Sequence, residues 1–278
     1  EEWWRGPFHI DGGRAPQHTL HGLEALLGEH FAEHPTEFFP RGDAAAGARP
    51  RRLPLGQALA RARNGSGPAY TFLQVPPARW GVALRALGVR EPSFVSNRGH
   101  RPEGECAAAL IPANRTWQFE RDLRWRMIAL AWGAAGMHLH RDSLPLATWH
   151  VQVYGTKHWL LCPPGTAGLY CDGTVDGFSP DFTACPAFQD ARCTETVLHP
   201  GAGLFYPEGW WHQTRTVGLA SLSISRSLLT PSNARDFAVS MRAYCAEALA
   251  LAHRSYSRLC ASLEPCLQRL TMTEPSAS

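Results

Sequence analysis

From about residue 105 onward, short apolar runs alternate with turn signals, and this alternation limits the possible folds more than any other feature of the chain. The runs predicted to be strands are 106–111, 125–132, 137–141, 148–154, 157–162, 196–198, 203–206 and 219–229. Between them, residues 142–145 and Gly155-Thr156 are typical of turns. Many short strands at such spacing favour an all-β barrel or a double sheet.

Mixed and helical segments flank this β core. Residues 1–50 are rich in Gly, Pro and His, and apolar residues at helical spacing predict one helix there, around 20–31. After residue 231 the pattern changes to Ala, Leu, Arg and Glu at helical spacing, with Ser232 or Asn233 as the candidate N-cap. The predicted regions are a mixed α/β region at 1–104, the β core at 105–231 and a helical tail at 232–278.

Composition narrows the class of protein. The 278 residues include 44% hydrophobic and 18% charged residues, which is ordinary for a folded protein and excludes global disorder. The net charge of +3 is too small to indicate a nucleic-acid partner. No apolar run reaches the length of a membrane span, so no transmembrane helix is expected.

Cysteines and two glycosylation triplets bear on the compartment. Eight cysteines are present and none belongs to a Cys-x-x-Cys pair, which argues against a structural zinc site. The triplets that begin at Asn64 and Asn114 match the N-glycosylation pattern. In the lumen of the secretory pathway, both would carry glycan and members of the Cys171, Cys185 and Cys193 group would form disulfides. A nuclear or cytoplasmic protein with reduced cysteines is the alternative.

The segment His140-Arg141-Asp142 places two potential metal ligands two residues apart. On a strand, residues i and i+2 point to the same face, so both can reach one ion. His212 offers a third ligand after a turn with two tryptophans, in the sequence PEGWWH. Two histidines and one carboxylate, with positions left open, suit Fe(II) and oxygen chemistry. The alternative is a satisfied polar network at the mouth of a barrel.

Lys157 follows His140 by seventeen residues, on a strand from which a lysine can point into a barrel. A buried lysine needs an anion, and the far carboxylate of a dicarboxylate co-substrate would supply one. The alternative is a surface lysine in a hairpin after Gly155. His138 shares the face of His140 and could support the ligands, face the substrate or be buried in the core. Support or core is favoured over ligation, because a fourth protein ligand would block oxygen chemistry.

Four sequence blocks occur in order within residues 125–229: HRD at 140–142, QVYGTKHW at 152–159, GAGLFYP at 201–207 and PEGWWH at 207–212. Together they resemble the JmjC-type, cupin-fold oxygenases that depend on Fe(II) and 2-oxoglutarate, particularly the small JmjC hydroxylases. The resemblance implies a mostly β fold, the double-stranded β-helix of jelly-roll type, with an N-terminal mixed region and C-terminal helices. It also implies His140, Asp142 and His212 as the catalytic metal ligands and Lys157 as a ligand of 2-oxoglutarate.

Two positions depart from the pattern of that family. Met137 stands where many members have a threonine that hydrogen-bonds 2-oxoglutarate, and His150 replaces a frequent asparagine. Contacts with the co-substrate must therefore differ, and we expect His150, Thr148 or Ser225 to make them.

The resemblance implies that the protein hydroxylates an amino-acid side chain of a protein or peptide, consuming O2 and 2-oxoglutarate and releasing succinate and CO2. Demethylation of N-methyl-lysine or N-methyl-arginine uses the same chemistry and is one alternative. A non-catalytic cupin that binds metal, sugar or a partner is another, and the substitutions at positions 137 and 150 are its support. Each alternative predicts a different assay result.

The helical tail carries too many apolar side chains for a free helix in water. Phe237, Met241, Leu263 and Leu267 are examples. They must cover something. We expect part of this apolar stripe to pack on the chain's own barrel and the remainder to pair with a second copy, in a homodimer with two-fold symmetry.

Overall fold

The computed structural model describes residues 5–12, 18–40, 43–44, 49–65, 67–96, 125–165, 167–230, 232–250 and 254–272. Its strands are β1 (Phe8–Asp11), β2 (Pro35–Phe39), β3 (Asp43–Ala44), β4 (Arg51–Pro54), β5 (Ala69–Gln74), β6 (Arg126–Trp132), β7 (Gly136–His140), β8 (Ala147–Cys162), β9 (Thr194–Leu198), β10 (Ala202–Tyr206) and β11 (Trp211–Leu228). Its helices are α1 (Leu20–Phe31), α2 (Leu55–Asn64), α3 (Pro77–Ala86), α4 (Ser93–Ser96), α5 (Ala234–Ala250) and α6 (Arg254–Met272), with 3-10 segments at Ala167–Gly173 and Pro186–Asp190.

Two long strands, β8 and β11, produce the double-layered architecture. They contain 16 and 18 residues and pair antiparallel over most of their length. The first half of β8 and the second half of β11 lie in a larger layer, in the order β1-β10-β8-β11-β6-β5-β2-β4. Their other halves lie in a smaller layer with β9 and β7. This arrangement confirms the predicted jelly-roll fold.

Both long strands change layer at an irregularity near Gly155. The φ of Gly155 is +65°, and a Cβ at this position would lie 2.0 Å from the carbonyl oxygen of Ala220, so a side chain does not fit. Opposite it, the register of β11 shifts between Val217 and Leu222. The prediction of two separate strands, 148–154 and 157–162, was wrong here. A glycine that bends one strand has the same local sequence as a turn between two.

Side chains on β8 and β11 alternate between an apolar exterior and a polar interior. Trp149, Val151 and Val153 face outward and are buried in a core to which α1, α2 and α3 contribute. Buried polar residues occupy the intervening positions of the two strands: Thr148, His150, Gln152, Ser221, Ser223, Ser225 and Ser227. Because a strand has a period of two, these polar residues share the inner face. The interior of the barrel is therefore built for a polar ligand.

The N-terminal region extends the barrel sheet. β1 pairs with β10, β5 pairs with β6, and the connecting helices cover the outer face of the larger layer. The pattern of residues 20–31 predicts α1 correctly. The sequences of β1, β2 and β4 show no strand pattern that would have predicted them. The predicted strand 106–111 lies outside the described residues, and so does the boundary between residues 104 and 105. The three-region division therefore stays a prediction.

The helical tail packs on itself and on one end of the barrel. Phe237 and Met241 of α5 are buried with Leu263 and Leu267 of α6, in a cluster that also contains Trp125. A disulfide between Cys245 and Cys260 joins the two helices, and α5 begins directly after Asn233, one of the two candidate N-caps. The tail therefore covers its own barrel as expected. Val239 and Tyr244 stay exposed, and the homodimer remains a prediction.

Among the described residues, no helix has the length and hydropathy that crossing a membrane would require.

Candidate metal centre

The three candidate metal ligands come together at one end of the barrel. His140 ends β7, Asp142 follows it, and His212 lies opposite His140 in the pairing of β11 with β7. One ligand atom from each residue lies within 4.8 Å of the other two, and the centres of the two imidazole rings are 4.2 Å apart. A single ion can therefore contact all three side chains.

Backbone carbonyls orient both imidazole rings. Nδ1 of His140 lies 2.8 Å from the carbonyl oxygen of His138, and Nδ1 of His212 lies 3.1 Å from that of Trp210. Since a carbonyl can only accept a hydrogen bond, each Nδ1 donates and carries the proton. In the neutral ring Nε2 is then the unprotonated nitrogen, which is the one that binds a metal. His138 thus supports His140 through its main chain.

Lys157 is buried in the same cavity, with 1% of its surface exposed. Its Nζ donates to Oγ of Ser223 at 2.9 Å and lies 6.0 Å from the centre of the Tyr70 ring. No carboxylate of the described residues forms an ion pair with it. Burial removes water from the ammonium group and lowers the pKa of Lys157 to about 7. A lysine in this setting is suited to an anion that comes from outside, and the surface-hairpin alternative is wrong.

His150 presents an unpaired nitrogen to the interior. Its Nε2 is buried and has no hydrogen-bond partner within the described ranges, and its ring lies 4.7 Å from the ring of Trp159. Burial, followed by the charge of Lys157, holds the pKa of His150 well below its usual value, so the ring is neutral at pH 7. An unpaired buried polar atom is costly unless a ligand satisfies it.

A cavity of about 670 Å³ connects these groups, a volume typical of small-molecule sites. The predicted residues that line it are His140, Asp142, His150, Lys157, His212 and Ser225. Thr148 is buried on the same face but does not line the cavity, and its side chain hydrogen-bonds Tyr206. The cavity therefore brings together every predicted site residue except Thr148.

Tyr206 is a cavity residue that the sequence analysis does not single out. It lies on β10, and its hydroxyl oxygen is 3.5 Å from Nε2 of His212. Burial, followed by the charge of Asp142, holds the pKa of Tyr206 well above its usual value. The hydroxyl therefore keeps its proton and can donate it to a group bound beside the ligands. Only the register of β10 against β8 brings it there, and no local pattern reports that register.

Thr214 is a second such residue, and it lies directly opposite Met137 in the sheet. Its Oγ1 accepts a hydrogen bond from the backbone N–H of Met137 at 3.2 Å. A hydroxyl that accepts in this way still has its own proton to donate. The spacing could have revealed Thr214, because it follows His212 by two residues on the same strand and so shares its face.

Helix α5 supplies part of the cavity wall. Ser240, Tyr244 and Glu247 line it together with residues of the barrel. Glu247 is exposed and adds a negative charge to this side of the cavity. The tail therefore has a place at the site in addition to its packing role.

Comparison with known proteins agrees with this geometry. A family model described as a cupin-like domain matches residues 128–240. The chain is 27% identical over 115 residues to the arginine-specific demethylase JMJ20 of Arabidopsis thaliana. This alignment covers 39% of this chain and 25% of JMJ20. The chain is 36% identical over 107 residues to lysine-specific demethylase 8 of Xenopus tropicalis. This alignment covers 34% of this chain and 24% of that demethylase. The matched segment is a cupin-like domain, and it is similar in sequence to JmjC-type demethylases.

This result confirms the family that the sequence resembles. The chain is also 27% identical over 110 residues to the bifunctional arginine demethylase and lysyl-hydroxylase psr-1 of Caenorhabditis briggsae, covering 34% of this chain and 27% of that one. Each match spans about a quarter of the relative's length. The JmjC segment contains the three candidate metal ligands and Lys157.

Proposed function

We propose that this protein is an Fe(II)- and 2-oxoglutarate-dependent oxygenase that hydroxylates an amino-acid side chain of a protein or peptide. One observation carries the proposal: the His140, Asp142 and His212 cluster shares a cavity with Lys157, which is a buried cation with no anionic partner among the described residues. In such an oxygenase, the metal chelates one end of 2-oxoglutarate and a lysine binds the other end. The metal ligands and the lysine must therefore lie in one cavity. The match of residues 128–240 to a cupin-like domain and the similarity to JmjC relatives support it.

The donor set fits Fe(II). Two neutral imidazoles and one carboxylate on a face, with positions left open, suit non-haem iron and a bidentate co-substrate. When bound, the iron with 2-oxoglutarate and O2 supplies the oxidation of an unreactive C–H bond and releases succinate and CO2. The carbonyls of His138 and Trp210 hold the two imidazoles in the tautomer that leaves Nε2 free.

The remaining polar groups of the cavity fit a dicarboxylate. Lys157 would bind the distal carboxylate, and Ser223 keeps its Nζ directed inward through the 2.9 Å hydrogen bond. Thr214 and Tyr206 carry hydroxyl protons that can be donated to the oxygen atoms near the metal. His150 offers an unpaired Nε2 and Ser225 a hydroxyl, so both remain candidates for contact with the co-substrate.

The substrate proposed for this site is a basic side chain. Glu247 contributes a carboxylate to the cavity wall and Tyr244 contributes an aromatic ring, and both kinds of group attract cations. The relatives are named for activity on lysine and arginine. Both observations support a lysine or arginine residue of a protein as the target.

The proposal is tested by anaerobic titration of the purified protein with Fe(II) and 2-oxoglutarate. A site of this type develops a visible charge-transfer absorption when both are bound, and the His140→Ala variant should lack it. In air, the protein should convert 2-oxoglutarate into succinate, and faster with the right peptide. A non-catalytic cupin would show neither signal, so this pair of measurements separates the two alternatives.

Demethylation is retained as a second candidate, because all three relatives described above are named as demethylases and one of them also as a lysyl-hydroxylase. It differs from hydroxylation in its product, since hydroxylation of an N-methyl group releases formaldehyde. Peptides with unmodified and methylated lysine or arginine, analysed by mass spectrometry alongside a formaldehyde assay, separate the two. A gain of one oxygen atom without formaldehyde supports the hydroxylase.

We propose the secretory lumen as the compartment. The disulfides Cys162–Cys193, Cys171–Cys185 and Cys245–Cys260 support it, since such bonds persist in oxidising compartments. Asn64 is exposed at the end of α2 and accessible to glycosylation, whereas Asn114 lies outside the described residues.

Light scattering of the full chain tests the homodimer that we propose for the tail.

A further inference from the structure

A loop closed by disulfides lies against the outer faces of both metal-ligand strands. It runs from the end of β8 to the start of β9. Cys162, the last residue of β8, is bonded to Cys193, and Cys171 is bonded to Cys185 within the loop. In the sheet, Cys162 is paired with Trp211, the residue before His212. The loop therefore begins and ends beside the distal metal ligand.

Gln213, the residue after His212, is anchored in this loop. It points away from the cavity and is 9% exposed. Its Oε1 accepts from the backbone N–H of Gly177 at 2.7 Å, and its Nε2 donates to Oδ1 of Asp176 at 2.7 Å. Asp176 is fixed in turn, because the same Oδ1 accepts from the backbone N–H of Phe178 at 3.1 Å. Both ends of the amide are thus held in the loop.

Trp211, on the other side of His212, also contacts the loop. Its ring centre lies 5.0 Å from that of Tyr170, and the Tyr170 hydroxyl donates to the carbonyl oxygen of Pro163 at 2.6 Å. The loop touches the neighbouring ligand strand as well, since a Cβ on Gly173 would lie 2.3 Å from the carbonyl oxygen of Leu139. Gly173 has a φ of +79°, which favours glycine and permits this close approach.

We propose that Gln213 is a positioning residue for the metal centre. Through its two hydrogen bonds to the disulfide-closed loop, it fixes the segment of β11 that carries His212 at the distance from His140 and Asp142 that an ion requires. This inference rests on the proposed metal-binding function. Groups that orient metal ligands from outside the coordination sphere typically contribute about tenfold or more to metal affinity. A purely structural hydrogen bond would affect stability alone.

The test measures Co(II) binding to the metal-free protein by titration, together with the visible spectrum of the bound Co(II), which reports its coordination. Gln213→Leu removes both hydrogen bonds. Thr216→Val is the matched control: it removes a buried hydrogen bond, to Ser221 at 2.8 Å, from the same strand without touching the loop. Gln213→Glu keeps the acceptor for the Gly177 N–H, but it loses the donor to Asp176 and places a second carboxylate against that residue.

The disulfides supply a second matched pair. Cys171→Ser with Cys185→Ser opens a ring of sequence separation 14 inside the loop, and Cys245→Ser with Cys260→Ser opens one of separation 15 in the tail. Opening either ring should raise the conformational entropy of the unfolded chain by a similar amount, because the two rings are nearly equal in length. Only the first is expected to weaken Co(II) binding and alter the spectrum.

We expect Gln213→Leu to weaken Co(II) binding about tenfold and to change the spectrum, while Thr216→Val changes neither. Gln213→Glu should weaken Co(II) binding as well, because its carboxylate repels that of Asp176. That variant still decides the question if Gln213→Leu does not fold. Equal affinity and spectrum in the Gln213 variants and wild type would overturn the inference while leaving the proposed function intact. Absence of Co(II) binding in the wild type would instead overturn the proposed function.

Discussion

Replacement of Lys157 by methionine should make the metal-free protein more stable while removing its affinity for 2-oxoglutarate. The reason is that this ammonium group is fully buried and has only a neutral partner, Ser223. Its pKa falls from 10.5 to about 7 because burial removes its hydration. This difference corresponds to roughly 5 kcal/mol of destabilisation of the folded state when the lysine is charged.

The sign of the pH dependence follows from the direction of this shift. Below pH 7 the lysine is protonated in both the folded and the unfolded chain, and the whole penalty is present. Between pH 7 and 10.5 the unfolded chain holds a proton that the folded chain has lost, so the free energy of unfolding rises by about 1.4 kcal/mol per pH unit. Methionine keeps the length of the side chain but leaves the Ser223 hydroxyl unpaired, which costs about 1 kcal/mol.

We therefore expect Lys157→Met to be about 3 to 4 kcal/mol more stable than the wild type at pH 6, and this advantage should shrink progressively between pH 7 and 10.5. Urea denaturation of the metal-free proteins at four pH values measures this. Calorimetry with Mn(II) in place of Fe(II) should show 2-oxoglutarate binding to the wild type with uptake of nearly one proton at pH 8, since the carboxylate raises the pKa of Lys157 again. A variant that is no more stable than the wild type and binds 2-oxoglutarate equally well would refute the reasoning.

Four further outcomes are expected. His140→Ala should lose Co(II) binding in titration while its far-ultraviolet circular dichroism stays unchanged, since the ligand lies at the end of a strand. Thr214→Val should weaken 2-oxoglutarate binding about tenfold by calorimetry, because a hydrogen bond to a charged group is lost, whereas the nearby Thr216→Val should not. His150→Leu should weaken 2-oxoglutarate binding several-fold and His150→Asn should largely preserve it, because an amide can satisfy the same acceptor or donor. Secretion from eukaryotic cells should give a glycosidase-sensitive mass that Asn64→Gln reduces; an unmodified mass would contradict the lumenal compartment.

The parts of the site that depend on local spacing could be predicted from the sequence. His140 and Asp142 share a face because they are two residues apart at a strand end, and Lys157 follows on a strand whose inner face is polar. His212 required a non-local inference, which came from the PEGWWH turn far along the chain and from the resemblance of that block to a family. The structure brings all three candidate ligands within reach of one ion.

The parts that depend on which strand lies beside which could not be predicted in this way. β1 is stabilised by pairing with β10, β2 by pairing with β5, and β4 by pairing with β2, and none of the three carries a strong strand pattern of its own. The sequence indicated a disulfide-forming group at Cys171, Cys185 and Cys193, but Cys193 pairs with Cys162 at the end of a strand. Connectivity of this kind is set by the fold and cannot be read from spacing.

The departure at Met137 shows how the fold can compensate for a missing side chain. A methionine there removes the hydroxyl that many family members direct at 2-oxoglutarate, and this weighed in favour of a non-catalytic cupin. In the sheet, however, Thr214 lies directly across from Met137 and lines the same cavity. The backbone N–H of Met137 donates to the Thr214 hydroxyl, so that hydroxyl directs its own proton elsewhere. A donor on the neighbouring strand can reach the same part of the cavity, and the substitution at position 137 is therefore compatible with catalysis.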